Sequence, residues 1–137
     1  MNNLIIVRGG GDLATGTIYK LYKCGFKVLV LEIESPSAIR RNVAFSEAVY
    51  QGKQTVEDVT CLLAKDLKEA SSLLEKGELV MLIDPEGRCI PELQPMALVD
   101  GILAKENLGT HRGMAPVTVA LGPGFEAGKD VDAVIET

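Results

Sequence analysis

The sequence predicts an α/β fold, a Rossmann-like doubly wound and mostly parallel sheet with helices on both faces. Three observations carry this: a short, wholly apolar run that ends in glycines, a helical pattern after those glycines, and a second apolar run that ends in an acid. The first run is Leu4-Ile5-Ile6-Val7, which reads as a strand buried on both sides. From Asp12 the apolar spacing becomes helical, with Ala14, Thr17, Ile18 and Leu21 on one face and Gly25 placed to stop the helix. Val28-Leu29-Val30-Leu31 follows and ends at Glu32, which completes a βαβ unit.

The middle of the chain is less regular. Ser35-Pro36-Ser37 and Gln51-Gly52-Lys53 mark loops around a segment whose Val43, Ala44, Ala48 and Val49 suit a short helix. Val59 to Leu63 suits a strand. Asp66 with Glu69 resembles a capping box at the start of a helix that buries Leu67, Ala70 and Leu74 and ends at Gly77. Further strands are expected at Leu79 to Ile83, Ala97 to Val99, Val117 to Leu121 and Val131 to Ile135. No internal repeat or linker divides the chain, so residues 1–137 read as one nucleotide-binding domain.

Composition narrows the function. Fourteen Lys and Arg against nineteen Asp and Glu give a net charge of -5, without the basic footprint of a nucleic-acid binder. No apolar run approaches the roughly 18 to 20 residues that span a bilayer, and the N-terminus lacks the pattern of a signal peptide, so a cytoplasmic protein with no membrane partner is expected. Cys24, Cys61 and Cys89 are odd in number and widely spaced, with one histidine in the chain. Neither a disulfide framework nor a zinc site can be read from them, and they are expected to be structural thiols.

The segment Gly9-Gly10-Gly11-Asp12-Leu13-Ala14 fits G-x-G-x-x-(G/A), in which the first glycine makes the turn, the second admits a pyrophosphate and the last small residue lets helix and strand pack closely. Gly11 is expected in a positive-φ conformation at the point of ligand contact. Glu32 stands 21 residues after Gly11, where an acid would meet a ribose hydroxyl. The competing reading is that any tight βα turn favours glycine and that Glu32 simply ends its strand in solvent. If the sheet is parallel, Asp84, Asp100 and the turn Gly122-Pro123-Gly124 converge with the glycine loop along one edge, although Asp84-Pro85-Glu86-Gly87 also suits an ordinary turn. Arg40, Arg41, Lys105 and Asn107 are candidates to bind an anionic ligand. His111 has no local acid-base partner, and no nucleophilic triad is legible, so no catalytic residue is assigned.

Several stretches together resemble one family: Gly10-Gly11-Asp12-Leu13-Ala14-Thr15-Gly16, Arg40-Arg41 on to Phe45-Ser46-Glu47-Ala48-Val49-Tyr50, Ala104-Lys105-Glu106-Asn107-Leu108-Gly109-Thr110, and Leu121-Gly122-Pro123-Gly124-Phe125 with Val134-Ile135-Glu136-Thr137. The chain resembles the accessory proteins of selenium-dependent molybdenum hydroxylase systems, relatives of the xanthine dehydrogenase accessory factors. That resemblance implies a part in maturing the hydroxylase or inserting its cofactor. It also implies a dinucleotide (NAD(P)-like) or molybdenum cofactor pterin as the phosphate-bearing ligand, and the hydroxylase or its maturation machinery as partner. Two features depart from the family: its acidic residues near Arg112-Gly113-Met114 are absent, and its members continue well beyond the equivalent of Thr137, from which a short or truncated form is expected. An NAD(P)-dependent oxidoreductase or a non-catalytic nucleotide-binding module shares the glycine loop, and either would be compatible with a homo-oligomer.

The charge balance yields a direct expectation. The protein should not shift duplex DNA at physiological salt, because it lacks the cationic surface that releases counterions; micromolar binding in a fluorescence titration would contradict this.

Overall fold

The computed structural model describes residues 3–136. Strand β1 (Leu4–Arg8) is buried along its whole length, helix α1 (Asp12–Lys23) follows the glycine loop, and β2 (Lys27–Glu32) returns parallel to β1 with Val7 opposite Val30. Two short 3-10 turns, Arg41–Val43 and Phe45–Glu47, lead into α2 (Ala48–Gln51). The hairpin β3 (Lys53–Val56) and β4 (Val59–Leu63) precedes α3 (Leu67–Glu75) and β5 (Leu79–Ile83). Helix α4 (Ile90–Leu93), β6 (Ala97–Asp100), β7 (Val117–Leu121) and β8 (Ala133–Ile135) complete the order.

The sheet runs β3-β4-β5-β2-β1-β6-β7-β8. Every neighbouring pair is parallel except β3 with β4. The chain leaves β1 toward β2 on one side, and β6 later joins β1 on the other, so the winding reverses between β1 and β6. In open α/β sheets ligands bind at such a switch, outside the carboxyl ends of the strands.

Strand alternation divides the core into two layers. On one face Ile5, Val7, Val28, Val30 and Met81 meet Ala14 and Ile18 of α1 with Phe45 and Ala48. On the other, Leu4, Ile6, Leu29, Leu31 and Val80 meet Ala70 and Leu74 of α3 and Ile90 of α4. The doubly wound α/β architecture is therefore present. Beyond β6 the covering thins: the β6–β7 and β7–β8 connections carry only a 3-10 turn at Arg112–Met114, and Val117 and Ile135 are half exposed.

Several elements differ from the sequence reading. The helix expected around residues 43–49 is split into 3-10 turns, with α-helix only at Ala48–Gln51. Strand β3 was not legible because its Lys53, Gln54 and Thr55 are polar and it lies at the sheet edge, where apolar alternation is not required. The strand expected from Val131 starts at Ala133, since the Asp132 carboxylate turns back to accept from Thr118 N and Oγ1. No helix among the described residues is long and apolar enough to cross a membrane.

The capping box at α3 is formed as read: Asp66 Oδ1 accepts the Glu69 N–H at 2.8 Å, and Glu69 Oε1 accepts the Lys65 N–H at 3.0 Å. Asp66→Ala should cost about 1 kcal/mol in urea denaturation, and an unchanged midpoint would count against this cap.

Candidate functional site at the glycine loop

The three glycines do three different jobs. Gly9 carries the left-handed backbone, φ +95°, and a Cβ there would stand 2.8 Å from Gly101 O. Its N–H is bound by Leu31 O at 2.8 Å, and Arg8 O in turn accepts the Gly101 N–H at 2.8 Å, so the ends of β2, β1 and β6 are laced together at this turn. Gly10 is packed inward: a Cβ would meet Met81 Cε at 3.0 Å, and its carbonyl accepts the Ser46 N–H at 2.8 Å. Gly11 faces open space, with nothing within 4 Å of a Cβ.

The positive φ expected at Gly11 belongs to Gly9. Gly11 has φ -67° and ψ -179°, an extended backbone open to any residue. The reason is that the reversal out of β1 is completed two residues earlier, where the carbonyl of Gly101 leaves no room for a side chain. Ala14 fills the small-residue position of the motif as expected, since a Cβ on Gly101 would approach Ala14 Cβ to 2.9 Å.

Helix α1 has no side-chain cap, whereas α3 has one. The N-terminal N–H groups of α1 are thus left to whatever occupies the groove, together with the positive end of the helix dipole. Glu32 lies beside them. Its Oε2 accepts the Gly10 N–H at 2.8 Å and its Oε1 the Ile33 N–H at 2.9 Å, which points the carboxylate toward the glycine loop instead of into solvent.

Two adjoining cavities meet at Gly11. One, of about 260 Å³, reaches toward β2 and β5 and is lined by Arg8, Glu32, Ile33, Pro36, Pro85 and Leu108, among others. The second, of about 400 Å³, reaches along α1 and the loop after β6, with Asp12, Leu13, Ile39, Ile102 and Leu103 in its lining. Ser37 and Gly101 border both. The loop after β2 forms a roof held at two points: Tyr50 Oη donates to Pro36 O at 2.7 Å, and Arg40 Nε lies 3.6 Å from Asp12 Oδ2.

Of the residues the sequence suggested, Gly9, Gly11, Glu32 and Asp84 line the first cavity, and Gly11, Asp12 and Leu13 the second. Gly10 sits behind them. The remaining candidates are placed otherwise. Arg40 is spent on Asp12, and Arg41 reaches Glu47 at 3.6 Å, away from the groove. Asp100 is buried, accepting from the Ile102 N–H and the Thr110 hydroxyl. Asn107 closes its own loop through the Thr110 N–H and Thr110 O at 2.8 and 2.7 Å. Lys105 is exposed and lines neither cavity. The Gly122 to Gly124 turn does not converge on the glycine loop: Gly122 borders a separate depression with Phe125 and Val134, and Gly124 packs its backbone on Glu106.

Asp84 lines the cavity, but both its oxygens are engaged by the Arg88 and Cys89 N–H groups at 2.9 Å. Burial pushes its carboxyl up. The backbone donors of Cys89 and Arg88, with the Arg8 guanidinium nearby, outweigh that and hold it below the usual carboxylate range. The Cys89 thiol is pushed up to about 12 by burial and by the Asp84 carboxylate. Burial likewise raises Cys61. Both are structural thiols as expected; Cys24 is exposed, and all three are free.

Sequence reasoning missed Arg8. Strand β1 runs one residue further than its apolar run, and the guanidinium, only 2% exposed, lies against the cavity. A charged residue between a buried strand and a glycine turn was the available signal.

No family model and no solved structure matches the chain. It is 53% identical over 136 residues to YqeB, an uncharacterized protein of Escherichia coli (strain K12), the match covering 99% of this chain and 25% of that protein. The chain therefore spans about a quarter of the length of the curated relative it matches.

The different jobs of the glycines give a paired expectation. Gly9→Ala should destabilise by about 1–3 kcal/mol or more, from left-handed strain and the clash with Gly101, while Gly11→Ala, at an unstrained and open N-cap, should cost no more than about 1 kcal/mol. Urea denaturation of the two variants checks this, and equal losses would contradict the assignment of the turn to Gly9.

Proposed function

We propose that the groove at the glycine loop binds a phosphate-bearing nucleotide or pterin ligand, and that the domain uses it in the cytosolic maturation of a selenium-dependent molybdenum hydroxylase. One observation carries the binding half: an uncapped helix start with Gly11 open between two cavities, next to an acid already aimed at the loop. Phosphate oxygens suit the free N–H groups of α1. Each Glu32 oxygen accepts one backbone N–H and retains a lone pair for a ribose hydroxyl. A 2′-phosphate at that place would set like charges together, which favours an NAD-like ligand over an NADP-like one.

The maturation half rests on the family resemblance of the motifs around the loop. The chemistry of the groove is in keeping with it. Among the described residues, Asp12 is the only titratable side chain bordering the second cavity, and it faces Arg40. In the first, Glu32 and Asp84 are occupied by backbone donors. A groove without an available proton donor supports holding a ligand more than turning one over, so the oxidoreductase alternative would need a residue from outside this domain.

Calorimetry with NAD+ and with inorganic pyrophosphate tests the reading. Glu32→Gln should weaken NAD+ by about 1.5–3 kcal/mol and leave pyrophosphate nearly unchanged, whereas Gly11→Val should abolish binding of both with the fold intact. Folded Gly11→Val binding as tightly as the parent would overturn the site. Native mass spectrometry of the protein from its own cytosol distinguishes the ligands, a retained pterin favouring the maturation role and a nicotinamide cofactor with turnover the oxidoreductase.

A further inference from the structure

We infer that Arg8 is a positioning residue that sets the width of a slot for a flat heterocyclic ring, the base of the bound nucleotide, in the cavity on the β2–β5 side. The inference rests on the nucleotide reading given above. The observation behind it is that one nitrogen, Arg8 Nη2, donates both to Pro85 O at 2.9 Å and to Leu108 O at 3.3 Å. Pro85 belongs to the loop after β5 and Leu108 to the loop after β6, and both residues line the cavity. Two loops more than twenty residues apart in sequence are thereby pinned to the end of β1, which lies between their strands in the sheet.

The guanidinium is itself fixed from behind. Its Nη1 donates to Thr110 Oγ1 at 2.8 Å, and Thr110 Oγ1 donates to the buried Asp100 carboxylate. Asn107 closes the same loop on the backbone of Thr110. Arg8 makes no ion pair within 4.0 Å among the described residues; its side-chain hydrogen bonds go to carbonyl and hydroxyl oxygens, with the Asp84 carboxylate farther off across the cavity. A buried cation is retained only where such acceptors hold it firmly, and here they are the walls of the cavity.

The rest of the lining is largely apolar. Ile33 and Pro36 come from the loop after β2, so with Pro85 and Leu108 three loops supply apolar residues to the lining. The Glu32 and Asp84 carboxylates border the same space and disfavour a second anion there. An uncharged ring is the matching chemistry, with its phosphates directed to the helix start.

The test uses two probes with the same diphosphate, ADP and inorganic pyrophosphate, and two variants, Arg8→Lys and Thr110→Val, checked for folding by thermal melting. Lysine keeps the charge but cannot reach three acceptors with a planar fork; Thr110→Val frees the guanidinium from behind without touching the cavity. Each folded variant should lose about tenfold in ADP affinity while pyrophosphate changes by less than about twofold. Thr110→Val serves if Arg8→Lys fails to fold. Equal losses for both probes would make Arg8 a direct phosphate contact and overturn the inference, as would unchanged ADP affinity in a folded variant. A parent protein that binds neither probe would overturn the nucleotide reading itself; one that binds pyrophosphate but gains nothing from the adenosine would remove the slot alone.

Discussion

The crowding of backbone at the end of β1 governs the molecule. Gly9 must turn the chain out of the sheet beside Gly101 with 2.8 Å between a would-be Cβ and a carbonyl oxygen. Only a residue without a side chain can do this, and only a left-handed one can then present the next peptide to the helix. From that turn follow the seating of α1 close enough for Ala14 to touch Gly101, the opening at Gly11, and the alignment of β1 with β6 where the winding reverses. The groove exists because the sheet is pinched there and the helix begins uncapped above it.

Much of this was legible in the residues. Continuous apolar runs mark strands buried on both faces, and β1, β2 and β5 were found that way within a residue or so. The capping box at Asp66 and the stop at Gly77 framed α3, since local hydrogen bonds decide helix ends and are written in adjacent residues. What escaped depends on tertiary context. Strand β3 is polar, and its reversal uses Glu57 at φ 54°, a conformation that sequence does not announce for glutamate. Helix α4 is a single turn with proline in its first positions.

The polar candidates divide in an instructive way. Glycines and Glu32 were found by a spacing that itself encodes the turn and the strand length. Asp84 and Asp100 were chosen for their place at strand ends, which is right, and Asn107 as a partner for an anionic ligand, yet their side chains are consumed by the loops they start or close. A loop folded against a sheet has backbone N–H groups to satisfy, and short acidic or amide side chains are the nearest acceptors. Arg8 is the reverse case: it fell just beyond the apolar run and was passed over, and it proves to be where the loops are tied.

The thin covering beyond β6 separates the molecule into parts of unequal tolerance. Residues 101–116 run from the groove past Arg8's acceptors, so a length change there would move Leu108 and Thr110. Residues 126–131 close on themselves through Gly128 N–H to Val131 O and Glu126 N–H to the Asp130 carboxylate, with one outside tie from Arg112 to Gly128 O, and they line neither cavity at the glycine loop. That self-contained turn is the place to graft a fluorophore or an affinity handle: a reporter there would ride on the sheet edge and leave the groove unobstructed for titration.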